Sequence, residues 1–130
     1  MTSVTFRDET PGGRAVEAFT VPDLPGELTV RELIRIRVRE EVARHNAAPA
    51  RRFHGLVQPD GAEADLNGYL LREARKIDWE RQAAVAERAF VANGFVMLVG
   101  DVQVEELDEL VDLSGDPELV FIRLVPLAGG

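Results

Sequence analysis

Cysteine is absent from the 130 residues. Thiolate nucleophiles, thiolate metal sites and disulfides are therefore excluded. The two histidines, His45 and His54, have no partner ligands at metal spacing, and each reads as a surface or loop residue. Glu105, Glu106, Asp108 and Glu109 supply carboxylates densely, but the Asx-Gly pattern of a calcium loop is missing. Ser3 and Ser114 stand outside any nucleophile elbow, and Gly12-Gly13 lacks the Lys-Ser/Thr that completes a phosphate loop. Trp79 and Phe90 recur at helical spacing, which reads as core rather than a ligand platform. No catalytic, cofactor-binding or metal constellation of the chain's own emerges, so an enzyme is not expected. The remaining candidate is the pair Gly129-Gly130. Glycine is about 7% of average composition, so such a pair gains meaning only from what precedes it.

Composition narrows the partners. The chain carries 15 basic and 23 acidic residues, a net charge of −8. Nucleic-acid binders need basic stripes that displace counterions, so nucleic acid is not an expected partner. From Asp101 to Glu118 every charged residue is acidic, whereas basic residues dominate between Arg31 and Arg52. The acidic run reads either as a solvated face or as a surface that steers the protein to a basic partner. The longest apolar run, Phe95 to Val99, is far short of the roughly 20 residues a membrane helix needs. Met1 to Glu9 has no basic segment followed by an apolar one, so neither a signal peptide nor a membrane partner is expected. A single cytoplasmic domain over residues 1–130 is the expectation.

The elements that would position Gly129-Gly130 follow from patterning. Val4-Thr5-Phe6-Arg7 alternates as a half-buried strand does, Thr10-Pro11-Gly12-Gly13 is a turn, and Ala15 to Val21 is a second strand. The pair predicts a hairpin that Pro22 and Pro25-Gly26 terminate. Thr29-Val30-Arg31-Glu32 is a capping box, with Leu28 and Leu33 placed for a hydrophobic staple. Val30, Leu33, Ile34, Val38 and Val42 then share one helical face, and Asn46 and Pro49 close the helix. Residues 51–58 are strand-like, and Asn67-Gly68 between two short apolar runs predicts a tight hairpin. Asp78 is placed to cap a second helix through Ala92, stopped by Asn93-Gly94. Phe95 to Val99 suits a buried central strand, Gly100-Asp101 a turn, and Val102 to Val104 a short strand. Leu107, Leu110, Val111 and Leu113 are expected to tuck a loop or short helical turn onto the core. Ser114 to Pro117 is another turn, and Leu119 to Val125 the last strand.

With residues 47–94 set aside, the order is hairpin, helix, strand, short strand, acidic loop, strand and glycine pair. Here the chain resembles the ubiquitin-like proteins. Thr29-Val30-Arg31-Glu32-Leu33-Ile34 is similar to the capped start of the helix that the ubiquitin sheet grasps. Leu98-Val99-Gly100 followed by Val102-Gln103-Val104 resembles ubiquitin's turn into its short strand. Phe121-Ile122-Arg123-Leu124 followed by Gly129-Gly130 resembles its final strand and diglycine tail. Ala128-Gly129-Gly130 is also similar to the ending of the sulfur carriers of molybdopterin and thiamin biosynthesis. Residues 4–46 and 95–130 carry the resemblance. The stretch 47–94 departs from it as an insertion with its own helix, a combination similar to the ubiquitin-like proteins of bacterial operons that encode activating and conjugating enzymes.

The resemblance implies an α+β fold of β-grasp type: a mixed sheet packed on one main helix, an inserted segment with a second helix at 47–94, and an extended tail at 125–130. It implies a protein modifier, the Gly130 carboxylate being adenylated by an activating enzyme and conjugated to target proteins. A conjugating enzyme and an isopeptidase are the further partners implied. The alternatives are a sulfur carrier, in which the adenylate becomes a thiocarboxylate, and a plain interaction module. ATP and magnesium would belong to the partner, the chain having no cofactor of its own. Glycine at 129 and 130 suits a narrow channel because, lacking Cβ, it lets two backbones approach closely. Pro126, Leu127 and Ala128 are then the expected tail contacts with the activating enzyme, Pro126 lowering the ordering entropy on binding.

Overall fold

The computed structural model describes residues 1–10, 12, 15–65 and 68–124. They form an α+β fold whose principal sheet is mixed, with two helices. Two compact units arise: the described residues of Met1–Leu33 with Ala89–Gly130, and Ile34–Arg88. Helix α1 (Val30–Ala47) begins in the first unit and continues in the second; α2 (Trp79–Val91) begins in the second and ends in the first.

The first unit is built on β1 (Thr2–Glu9), β2 (Ala15–Leu24), β7 (Phe95–Val99), β8 (Val102–Val104) and β10 (Glu118–Arg123), in the order β2-β1-β10-β7-β8. Strands β1 and β10 are parallel, and every other neighbouring pair is antiparallel. Alternation along each strand sends Val4, Phe6, Phe95, Met97, Leu119 and Phe121 into the core. The rings make a continuous cluster. Phe6 lies 5.4 Å from Phe19 and 6.1 Å from Phe121, and Phe95 lies 5.9 Å from Phe121 and 5.8 Å from Phe90. Such tilted pairs contribute about 0.5–1.5 kcal/mol each beyond the area they bury.

Several sequence expectations are corrected here. Pro22 does not end the second strand, because β2 runs on to Leu24. The reason is tertiary: β2 is an edge, where the missing proline N–H breaks no ladder bond. A register shift between Thr2 and Val4, with Asp23 at a φ of 62°, absorbs the ring as a bulge. Strand β7 is not buried on both faces. Phe95 and Met97 are buried, while Val96, Leu98 and Val99 are half-buried. The acidic stretch is a loop with one hydrogen-bonded turn, the Glu109 amide donating to Glu106 O at 3.3 Å, but it also holds a strand that was not expected. This is β9 (Leu110–Asp112), antiparallel to β3 (Glu27–Thr29), with Val111 and Leu113 buried and Leu110 turned outward. The last strand ends at Arg123, and Val125 lies outside the described residues, as do Pro11 and Gly13 of the first turn.

At the start of α1 the Thr29 arm of the capping box forms, while no bond from the Glu32 side chain back to the Thr29 amide is present among the described residues. Thr29 Oγ1 accepts from the Glu32 amide at 3.1 Å. The Val30 and Arg31 amides donate to the carbonyls of Glu109 and Leu107, both at 2.9 Å. Three of the amides that a helix start leaves over are thus bonded. Val30, Leu33, Ile34, Val38 and Val42 are all buried, as the 3.6-residue period requires.

In the second unit a three-stranded sheet runs β4 (Arg52–Phe53), β6 (Gly68–Leu70) and β5 (Glu63–Asp65). The strand expected at 51–58 is only two residues long. After Phe53 the chain leaves the sheet, and Gly55 packs so closely on the Phe53 ring that a Cβ there would collide with it. The expected hairpin forms, Asp65 facing Gly68, although Leu66 and Asn67 lie outside the described residues. Asp78 Oδ1 accepts from the Glu80 and Arg81 amides at 3.0 and 3.4 Å, capping α2 as its sequence requires. Asn93 takes a φ of 60° and the Gly94 amide donates to Ala89 O at 2.7 Å, so the chain leaves α2 through a left-handed cap in the first unit.

Candidate functional site

The candidate site is the end of β10, because that strand leads to the residues singled out for chemistry. Gly130, Gly129, Ala128, Leu127 and Pro126 all lie outside the described residues. Their approach is well defined. Ile122 faces Glu9 on one side and Val96 on the other, Arg123 faces Phe95, and the Leu124 amide donates to Gly94 O at 3.1 Å. Strand β10 is therefore paired on both sides as far as Ile122, and on the β7 side alone at Arg123.

On the sheet face opposite the phenyl cluster, the register aligns Arg7, Val120, Leu98 and Gln103 in one row and Glu9, Ile122 and Val96 in the next. Four aliphatic residues, Val120, Leu98, Ile122 and Val96, are thus register neighbours towards the end of β10. Arg7 frames them, its Nη2 lying 2.7 Å from Glu9 Oε1 and 2.9 Å from Glu118 Oε1. This face can bind by contact but carries no nucleophile or cysteine.

The acidic stretch has a structural task as well as a charge. Loop carbonyls at 107 and 109 bind the first amides of α1, and Asp108 Oδ1 lies 3.3 Å from Arg31 Nη2. Negative charge beside a helix N-terminus is favourable. Glu105, Glu106, Asp108 and Glu109 remain exposed. Asp112 accepts the Ser114 amide at 2.9 Å, and that bond, with the Ser114 hydroxyl, holds its carboxyl below the ordinary range.

The other candidates are distributed among structural contacts. His45 Nε2 pairs with Arg75 O at 2.8 Å, and its ring meets Phe53 edge-on at 5.3 Å. His54 is exposed. Among the described residues no three His, Asp or Glu side chains group as a metal site. The Ser3 amide donates to Asp116 Oδ1 at 2.9 Å, across the sheet end. Trp79 departs from its expected core role. It is half-buried, and the guanidinium carbons of Arg35 and Arg39 each sit 5.6 Å from its ring centroid. These two arginines are one helical turn apart, so both reach the one ring.

Sequence reasoning missed Arg37 and Glu41. Both are buried, with Arg37 Nε 2.9 Å from Glu41 Oε2, and Glu41 Oε1 accepting the Leu56 amide at 3.0 Å. A signal was present: positions 37 and 41 continue the apolar stripe from Leu33 at four-residue spacing. Charged residues there have to be paired inside.

No family model, curated protein or solved structure matches the chain. Among the described residues no helix is long and apolar enough to cross a membrane.

Proposed function

We propose that this chain is a ubiquitin-like β-grasp protein acting as a protein modifier, its Gly130 carboxylate activated by a partner enzyme and joined to target proteins. The observation that carries the reading is the strand order β2-β1-β10-β7-β8, with β1 and β10 parallel at the middle of the sheet. An N-terminal hairpin, a capped helix and a last strand inserted beside the first are what a β-grasp sheet requires. The last strand is then the one that delivers the glycine pair.

The chemistry is acyl activation. A carboxylate is a poor acyl donor at neutral pH. Attack of the Gly130 carboxylate on the α-phosphate of ATP in the partner's site expels pyrophosphate and leaves an acyl adenylate. The partner's magnesium and basic groups balance the phosphate charge. A partner thiolate displaces AMP to give a thioester, and a target amine displaces the thiol to give an amide. The chain contributes the electrophile and no catalytic group. A cytoplasmic setting, where ATP is plentiful, belongs to the same reading.

The test is intact mass after incubation with an activating enzyme, ATP and magnesium. The mass of the starting protein first establishes that Gly130 carries its free carboxylate. Covalent products that require Gly130 support the modifier. A gain of about 16 Da, oxygen replaced by sulfur when a sulfur donor is added, favours the sulfur carrier. Absence of both adenylate and product leaves an interaction module and sinks acyl activation.

A further inference from the structure

The sheet of the first unit has two edges of different character. Strand β2 is blunted by Pro22 and by the bulge at Asp23, devices that discourage a further strand. Strand β8 has neither. Its residues Val102, Gln103 and Val104 pair with Val99, Leu98 and Met97 on one side only, and Val102 is 66% exposed. The backbone groups that this pairing leaves over point outward and can hydrogen-bond another extended chain.

A cleft of about 310 Å³ lies at the C-terminal end of this edge. It is lined by Phe90, Val91 and Asn93 at the end of α2, by Phe95 and Val96 of β7, and by Gln103, Val104 and Glu105. The volume is at the small end of the range for ligand sites, ~300–1,000 Å³, and suits one long side chain. The one charged residue among the described residues of its lining is acidic. The negative pole of α2 ends there, and Glu105 adds a carboxylate. Asp101 before β8 and Glu106 after it are also acidic and exposed. Among the described residues no cation pairs with Asp101, Glu105 or Glu106. Phe90, Phe95 and Val104 are themselves buried, and the open surface of the cleft is mostly polar. A polar cleft with an acidic rim matches the charged head of a lysine or arginine, which hydrogen bonds to a carboxylate and to carbonyls can hold.

We propose that β8 and its cleft receive an extended basic segment of a partner protein, the segment's backbone adding to the β8 edge and one of its lysine or arginine side chains filling the cleft. This is independent of any chemistry at Gly130.

The test uses the full chain and a fluorescein-labelled peptide of alternating valine and lysine, read by anisotropy at low salt. Saturable binding is expected. It should weaken at least tenfold for Glu105→Lys, an exposed position whose change leaves the fold intact, and for the same peptide N-methylated on alternate amides. The β8 amides should exchange more slowly with peptide bound. No saturable binding overturns the proposal, as does equal binding by Glu105→Lys or by the N-methylated peptide. A valine–glutamate peptide that binds as tightly overturns it too. Protection of the β8 amides by raised protein concentration alone assigns the edge to a second copy instead, and overturns it equally.

Discussion

Asp112 shows how a single exposed side chain can be tuned by its neighbours. The Ser114 amide and, secondarily, its hydroxyl favour the charged carboxylate, so the folded pKa lies below the ordinary value of about 3.9. A depressed carboxyl contributes stability that is complete above the unfolded value and is lost as the pH falls through the folded one. An NMR titration of Asp112 should therefore give a midpoint below that of an unstructured aspartate. Ser114→Ala, which keeps the amide, should move the midpoint only part of the way back. A midpoint at the ordinary value in the native protein would refute the assignment. The Arg37–Glu41 pair is the higher-stakes case, being buried. Glu41→Ala removes the acceptor of both Arg37 Nε and the Leu56 amide, and should cost about 3–5 kcal/mol in urea unfolding. Replacing Arg37 and Glu41 together by methionine and leucine should recover much of that loss, because the charge is then gone from the interior. If the single and double variants are equally unstable, the pair is not what matters there.

Local rules predict some elements well and others poorly. The start of α1 was legible because Thr29 and the apolar period act within one or two turns of chain. Thr29→Ala should lower stability by about 1 kcal/mol, measured by thermal or urea unfolding. An unchanged stability would mean that the carbonyls at 107 and 109 cap the helix unaided. The start and stop of α2 were legible for the same reason, through Asp78 and Asn93-Gly94. The β3–β9 pair was not. Each strand has three residues, and Leu28 faces Val111 across more than eighty positions of sequence. A strand that short has too few alternations to declare itself, and only its distant partner makes it one. Pro22 was misread on similar grounds, since whether a proline breaks a strand depends on whether that strand has a neighbour on its N–H side.

For the molecule as a whole, the proposed function makes Gly129 and Gly130 an end that serves a partner, and terminal residues contribute little to a core. On that reading, deleting Gly129 and Gly130 should leave the melting temperature nearly unchanged while abolishing adenylation by an activating enzyme. Calorimetry and pyrophosphate exchange check the two halves separately. A large fall in melting temperature would mean that the tail belongs to the core. The net charge of −8, the uniformly acidic stretch from Asp101 to Glu118 and the absence of cysteine were plain from the sequence. So were both helices, the N-terminal hairpin and the closing strands, because helical period, caps, turns and apolar runs are patterns among residues near in sequence. Tertiary structure alone decided that β1 and β10 lie side by side and parallel, that β8 is left as an open edge, and that Arg37 and Glu41 are enclosed. The physical reason is common to all three. Neighbours in a sheet and burial of a charge are relations between segments far apart in the chain, and periodicity or capping, which act over a few residues, carry no information about them.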